Sequence, residues 1–170
     1  MNAKMKRLLA VLCGIIMICN SGMGIVAHAQ ENIETLIIGP YCELTGSNVG
    51  HGIYDIPDNR GEKAATLTGC TIGISVDASG VQGSISTGST VIASKIGVEN
   101  IRVEKYVNGN WTLVGSHSGD YTTNDNSHGM NVYTSSAQKG VLYRISCTHY
   151  AYLNGVRHEL NNVTNGVSYS

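Results

Sequence analysis

Cys70 and Cys147, His149 and His158, and the group Tyr150, Tyr152, Arg157 and Glu159 are the residues whose types and spacing could do chemistry. Two cysteines on inward positions of separate strands could bridge two sheets in an oxidising compartment, which makes Cys70–Cys147 the first candidate disulfide and leaves Cys42 over. The rival reading is three buried thiols, since free cysteine packs as a small hydrophobe. His149 and His158 would be metal ligands only if a carboxylate completed the shell. None lies on their face, so packed histidines are expected, and no metal or cofactor is implied. Tyr150 and Tyr152 beside Arg157 and Glu159 combine aromatic faces with flanking hydrogen-bonding groups, a pattern suited to a glycan or a protein partner. The plainer alternative is a set of cross-strand pairs that stabilises an exposed sheet face.

Catalytic patterns are missing. There is no G-x-S-x-G turn, no cysteine in a protease-like context, and no carboxylate pair singled out for glycoside hydrolysis. The segment from Asn124 to Gly129 echoes a calcium loop, but Ser135 stands where the bidentate Glu belongs, so a surface turn is expected. No enzyme is predicted.

The elements that must position these residues start with the stretch Gly140–Leu160. Asn154-Gly155 is a strong two-residue hairpin signal, because both residues tolerate positive φ. Odd positions from Val141 to Leu153 form the inner face. Even positions, Leu142 to Tyr152, point outward. A two-residue turn pairs Leu153 with Val156, Tyr152 with Arg157 and Tyr150 with Glu159.

Other strands are read from alternation and turn residues. Cys70–Val76 has its core side at even positions and ends at Asp77-Ala78-Ser79-Gly80. The Ser/Gly/Thr-rich segment up to Ser89 reads as a weakly specified edge strand or a mobile loop. Val98–Val107 alternates with Ile101, Val103 and Val107 inward, Arg102, Glu104 and Tyr106 outward, and Lys105 snorkelling from the apolar side. Asn108-Gly109-Asn110 leads into Trp111, and a three-residue turn segregates the apolar residues best. Residues 115–129 read as a long polar loop, Met130–Thr134 as a short strand, and Asn161–Ser170 as the source of a last strand. Residues 30–69 read as an N-terminal arm ending at Gly39-Pro40 and a loop region with one short strand around Gly52–Ile56. Residues 70–170 read as the sandwich core. About seven short strands without helical periodicity predict an all-β, immunoglobulin-like or related antiparallel β-sandwich.

Residues 1–29 read as a secretory signal peptide: Lys4, Lys6 and Arg7, an apolar run from Leu8 to Cys19, then Ala27-His28-Ala29. The apolar run is short for a spanning helix, so no membrane attachment is expected after cleavage. The leader holds three of the eleven Lys and Arg residues and none of the twelve acidic ones, which leaves the remainder at −4. Mild acidity spread over the chain argues against a nucleic-acid partner.

The segments Ser94–Trp111 and Gly140–Leu160 resemble a group of short secreted proteins of Gram-positive, clostridial-type bacteria. These have a signal peptide, a strand–NG–W hairpin and a late YR-x-S-C-T-H-Y motif, here Tyr143 to Tyr150. The resemblance covers roughly the last hundred residues. It implies a secreted bacterial β-sandwich and carries over no catalytic residue. An immunoglobulin label fits more loosely: Cys70, Trp111 and Cys147 occur in that order, but Trp111 is distant from Cys70 and Ile145 stands where a tyrosine corner would put Tyr. The functional expectation is a secreted, non-enzymatic protein that binds an extracellular protein or glycan. The alternative is a released bacteriocin-like or signalling effector, with a hydrolase of unrecognised site as a minor option.

Overall fold

The Asn154-Gly155 turn sets the register of the late hairpin as its residues require. Strands Tyr143–Leu153 and Val156–Val163 pair antiparallel, with Leu153 opposite Val156, Tyr152 opposite Arg157 and Tyr150 opposite Glu159. Asn154 and Gly155 take φ of 50° and 79°, the left-handed values that such a turn demands. The structure is a computed structural model and describes residues 33–44, 49–54 and 65–170. The expected signal peptide lies outside the described residues.

In chain order the strands are β1 (Glu34–Thr35), β2 (Ile37–Pro40), β3 (Val49–Tyr54), β4 (Leu67–Asp77), β5 (Gly80–Ala93), β6 (Lys95–Val107), β7 (Asn110–Thr122), β8 (Asp125–Tyr133), β9 (Tyr143–Leu153) and β10 (Val156–Val163). They form two five-stranded sheets. Sheet A runs β1-β7-β6-β9-β10 and sheet B runs β2-β8-β5-β4-β3. All pairings are antiparallel except β1 with β7. With β4, β5 and β8 taken as strands A, B and E, and β6, β7, β9 and β10 as C, C′, F and G, the order is that of an immunoglobulin-like sandwich without strand D.

The core lies between the sheets. Ile72, Ile74, Val76 and Ile85 of sheet B face Val98, Ile101, Val103 and Ile145 of sheet A. A smaller cluster of Leu67, Cys70, Ala93, Ile96, Ala151 and Leu153 closes one end. The N-terminal arm contributes one edge strand to each sheet, and Leu36, between them, is inserted into the core.

Four expectations are corrected. The Ser/Gly/Thr segment is neither edge nor loop: β5 is an inner strand, hydrogen-bonded to β4 on one side and β8 on the other. At Gly83 a small residue is required, because β9 above it and β8 beside it fill the space. A Cβ on Gly83 would stand 2.5 Å from Ile145 Cδ1 and 2.7 Å from Val132 Cγ2. Residues 115–129 are not a loop; β7 continues to Thr122, and the chain crosses to sheet B at Thr123-Asn124, where Asn124 takes φ 55°. The hairpin between β6 and β7 has a two-residue turn, with Tyr106 opposite Trp111. Last, Asn161–Ser170 adds no separate strand: β10 runs on to Val163, and beyond it Val167 makes one bridge to Tyr143. The strand expected around Gly52–Ile56 is β3, which begins earlier and pairs with β4.

Candidate functional site

The polar residues that the sequence singles out fall into two places, one inside the sandwich and one on its outer surface. Inside, β9 points Cys147 and His149 at sheet B, as its odd positions require. His149 is completely buried. The Thr87 hydroxyl of β5 donates to the Gly97 carbonyl at 3.2 Å and lies 2.7 Å from His149 Nδ1. This arrangement suits the tautomer with its proton on Nδ1 and Nε2 as acceptor. Cys147 Sγ at 3.6 Å and Asn162 Nδ2 at 3.5 Å both face that nitrogen. Asn162 also donates to the carbonyls of Gly52 and Cys70, so it links β10 to the edge of sheet B.

Burial decides the charge states here. It pushes the Cys70 thiol up to about 11, and it raises Cys147 further, with the nearby Cys70 adding to the shift. It lowers His149 to about 4. At neutral pH the thiol and the imidazole are both uncharged, unlike the thiolate that a nucleophilic cysteine needs. The expected Cys70–Cys147 pair sits on opposite sheets as the sequence suggests, with no disulfide between them in this structure, and Cys42 is exposed. The usual inter-sheet disulfide of immunoglobulin domains joins strands B and F. Here Cys147 occupies F, whereas Cys70 lies on A and β5, in the B position, has no cysteine.

His158 is half-buried on β10, opposite Ala151, and does not join His149 in a metal shell. Among the described residues no group of three or more His, Cys, Asp and Glu side chains is placed to hold a metal ion.

The outer surface of sheet A carries Tyr150, Tyr152, Arg157 and Glu159. The pairing of β6 with β9 adds Lys95 opposite Tyr152 and brings Glu99 and Tyr121 to the same side. Arg157 is the hub. Its Nη2 lies 2.7 Å from Glu99 Oε1, its Nε lies 3.0 Å from Glu159 Oε2, and its guanidinium stacks 4.7 Å over the Tyr150 ring. Lys95 Nζ stands 3.9 Å over Tyr121 and 5.5 Å from Tyr150, while Tyr150 and Tyr152 meet edge to face at 6.3 Å. Tyr150 therefore points outward yet is only 4 % exposed, which corrects the expectation of an open aromatic face. The accessible aromatic surface belongs to half-exposed Tyr121 and partly buried Tyr152.

A second cluster on the same surface was not legible locally. Arg144 Nε holds Glu104 Oε2 at 2.7 Å, and its guanidinium lies 4.3 Å over Trp111, which packs against Tyr106 at 5.1 Å. Glu104 is consequently buried, not exposed. Outward alternation of Arg144 and Glu104 was the available signal, but their contact requires the register of β6 with β9.

These features define a two-sheet β-sandwich of immunoglobulin-like strand order with a cation–aromatic outer face. No protein-family model, curated protein or solved structure matches the chain.

Proposed function

We propose that the chain is an exported, non-enzymatic β-sandwich module that binds a protein or glycan at the cell envelope or in the surroundings. The observation that carries this reading is the outer face of sheet A, where Tyr121, Tyr152, Arg157, Glu99 and Glu159 form a fixed array of rings and charges. Ion pairs and stacking hold these side chains in place, so little ordering entropy remains to oppose association. Aromatic rings and guanidinium groups are also the side chains that most often dominate binding surfaces. The basic and apolar leader at residues 1–29 supports export.

The test is sedimentation of the purified protein with isolated cell walls of the producing organism. Retention that survives high salt and falls on replacement of Tyr121 and Tyr152 by Ser is the expected result. Both residues are partly or well exposed, so the double variant should still fold. Protein that stays in the supernatant would overturn the envelope reading.

A further inference from the structure

Between the two cation–aromatic clusters, β6 carries a bulge. Glu99 pairs with Thr148 and Arg102 with Ser146, so Asn100 and Ile101 together stand opposite Cys147. Asn100 is held in the left-handed region at φ 55°. Bulges of this kind re-aim side chains and are enriched beside functional sites.

The bulge opens the outer surface on both of its sides. Toward β9 and β10 lies a depression of about 320 Å³ walled by Asn100, Arg102, Ser146, Thr148 and Asn161. Toward β7 lies another of about 390 Å³, bordered by Asn100, Ile101, Arg102, Ser116, His117 and Ser118. Asn100 and Arg102 line both, so the depressions share a wall at β6 and together reach across β7, β6, β9 and β10. Three strand spacings make roughly 14 Å, long enough for a short chain of small rings.

The lining has a definite chemistry. Its polar groups are amides and hydroxyls, each able to donate and accept, set in walls that are otherwise largely apolar and suit the apolar faces of sugar rings, and Thr148 already orients the Asn161 amide through a 2.7 Å hydrogen bond to Oδ1. The one cation is Arg102. Its side chain is half exposed, and its described contact is a long one, 3.4 Å from Nη2 to Glu104 Oε1. Glu104 is meanwhile held more closely by Arg144. Two guanidinium groups thus converge on one carboxylate, and the outer one, Arg102, lines both depressions with donors to spare for a ligand carboxylate. A single cation suits one carboxylate per site far better than a polyphosphate backbone, which needs several.

We propose that this groove binds a carboxylated oligosaccharide, with Arg102 taking the sugar carboxylate and Asn100, Ser146, Thr148 and Asn161 taking ring hydroxyls. The proposal rests on the reading of this outer face as a binding surface and names its ligand class.

The experiment is calorimetric titration of the purified protein with an oligogalacturonide, a hyaluronan oligosaccharide and a sialylated trisaccharide, each beside its carboxyl methyl ester. At least one acid should bind, and its ester should bind about tenfold more weakly, the loss expected for a charge-assisted hydrogen bond. Arg102→Gln should lose about the same factor on the acid and nothing on the ester. Asn161→Ala should weaken both forms. Arg102 and Asn161 are both exposed, and unchanged melting would show that the variants fold. Failure of all three acids to bind, equal binding of acid and ester, or an unimpaired Arg102→Gln would each overturn the proposal. Wall retention that depends on Tyr121 and Tyr152 but not on Arg102 would leave the envelope reading standing while the groove falls. Binding of an acid without wall retention would do the reverse.

Discussion

The Thr87 hydroxyl and His149 Nδ1 stand 2.7 Å apart in the interior and join the two sheets, since Thr87 belongs to β5 and His149 to β9. Burial of His149 at this seam makes the sandwich sensitive to acid. Burial lowers His149 from its ordinary 6.5 to about 4 in the folded chain. The unfolded chain therefore binds a proton that the folded chain refuses, and stability falls as pH drops from about 6.5 to about 4, by on the order of 3 kcal/mol in all. Above that window the full contribution is present. Urea denaturation of the wild type and of His149→Gln between about pH 7 and about pH 4.5 checks this, because the variant should lose most of the acid dependence. His128, also lowered chiefly by burial, leaves a smaller slope of the same sign.

With Cys13 and Cys19 in the expected leader, the three cysteines beyond residue 29 should report their burial directly. In the native, unreduced protein a thiol reagent should label exposed Cys42 and leave buried Cys70 and Cys147 untouched. After denaturation without reductant, all three should label. Labelling of Cys42 alone in denaturant would mean that the two buried sulfurs are bridged in solution.

Gly83→Ala tests the tight seam between the sheets. The added methyl would meet Ile145 Cδ1 and Val132 Cγ2 well inside ordinary contact distance. Overpacking of this kind costs about 1–3 kcal/mol, read as a lower denaturant midpoint with an unchanged slope.

Trp111 is the chain's single tryptophan, and Arg144 covers its ring. Arg144→Ala should shift its fluorescence to the red as water reaches the indole. The same change strips buried Glu104 of its closest partner, so a stability loss of about 1–3 kcal/mol should accompany the shift. An unmoved emission spectrum would mean that the stacked arrangement is not populated in solution.

The sequence by itself determined the all-β class and the register of the last hairpin. It also marked the inward face of β4. These features are encoded within a few residues, by period-2 alternation and by turn residues that accept positive φ. What lies beside or above a strand is not local, and there the tertiary structure decided. Gly83 of β5 looks like weak edge material until Ile145 and Val132 are seen to occupy the space that a larger side chain would need. The polar stretch 115–129, which forms the second part of β7 and the first part of β8, looks like loop until each strand is seen to lie between neighbours. Tyr150 points outward by parity, yet Arg157 from β10 and Lys95 from β6 close over its ring. The Arg102 groove depends on a two-against-one mismatch between β6 and β9, which neither strand shows alone. Long-range pairing fixes such features, because a residue's surroundings in a sheet come from strands that are distant in the chain.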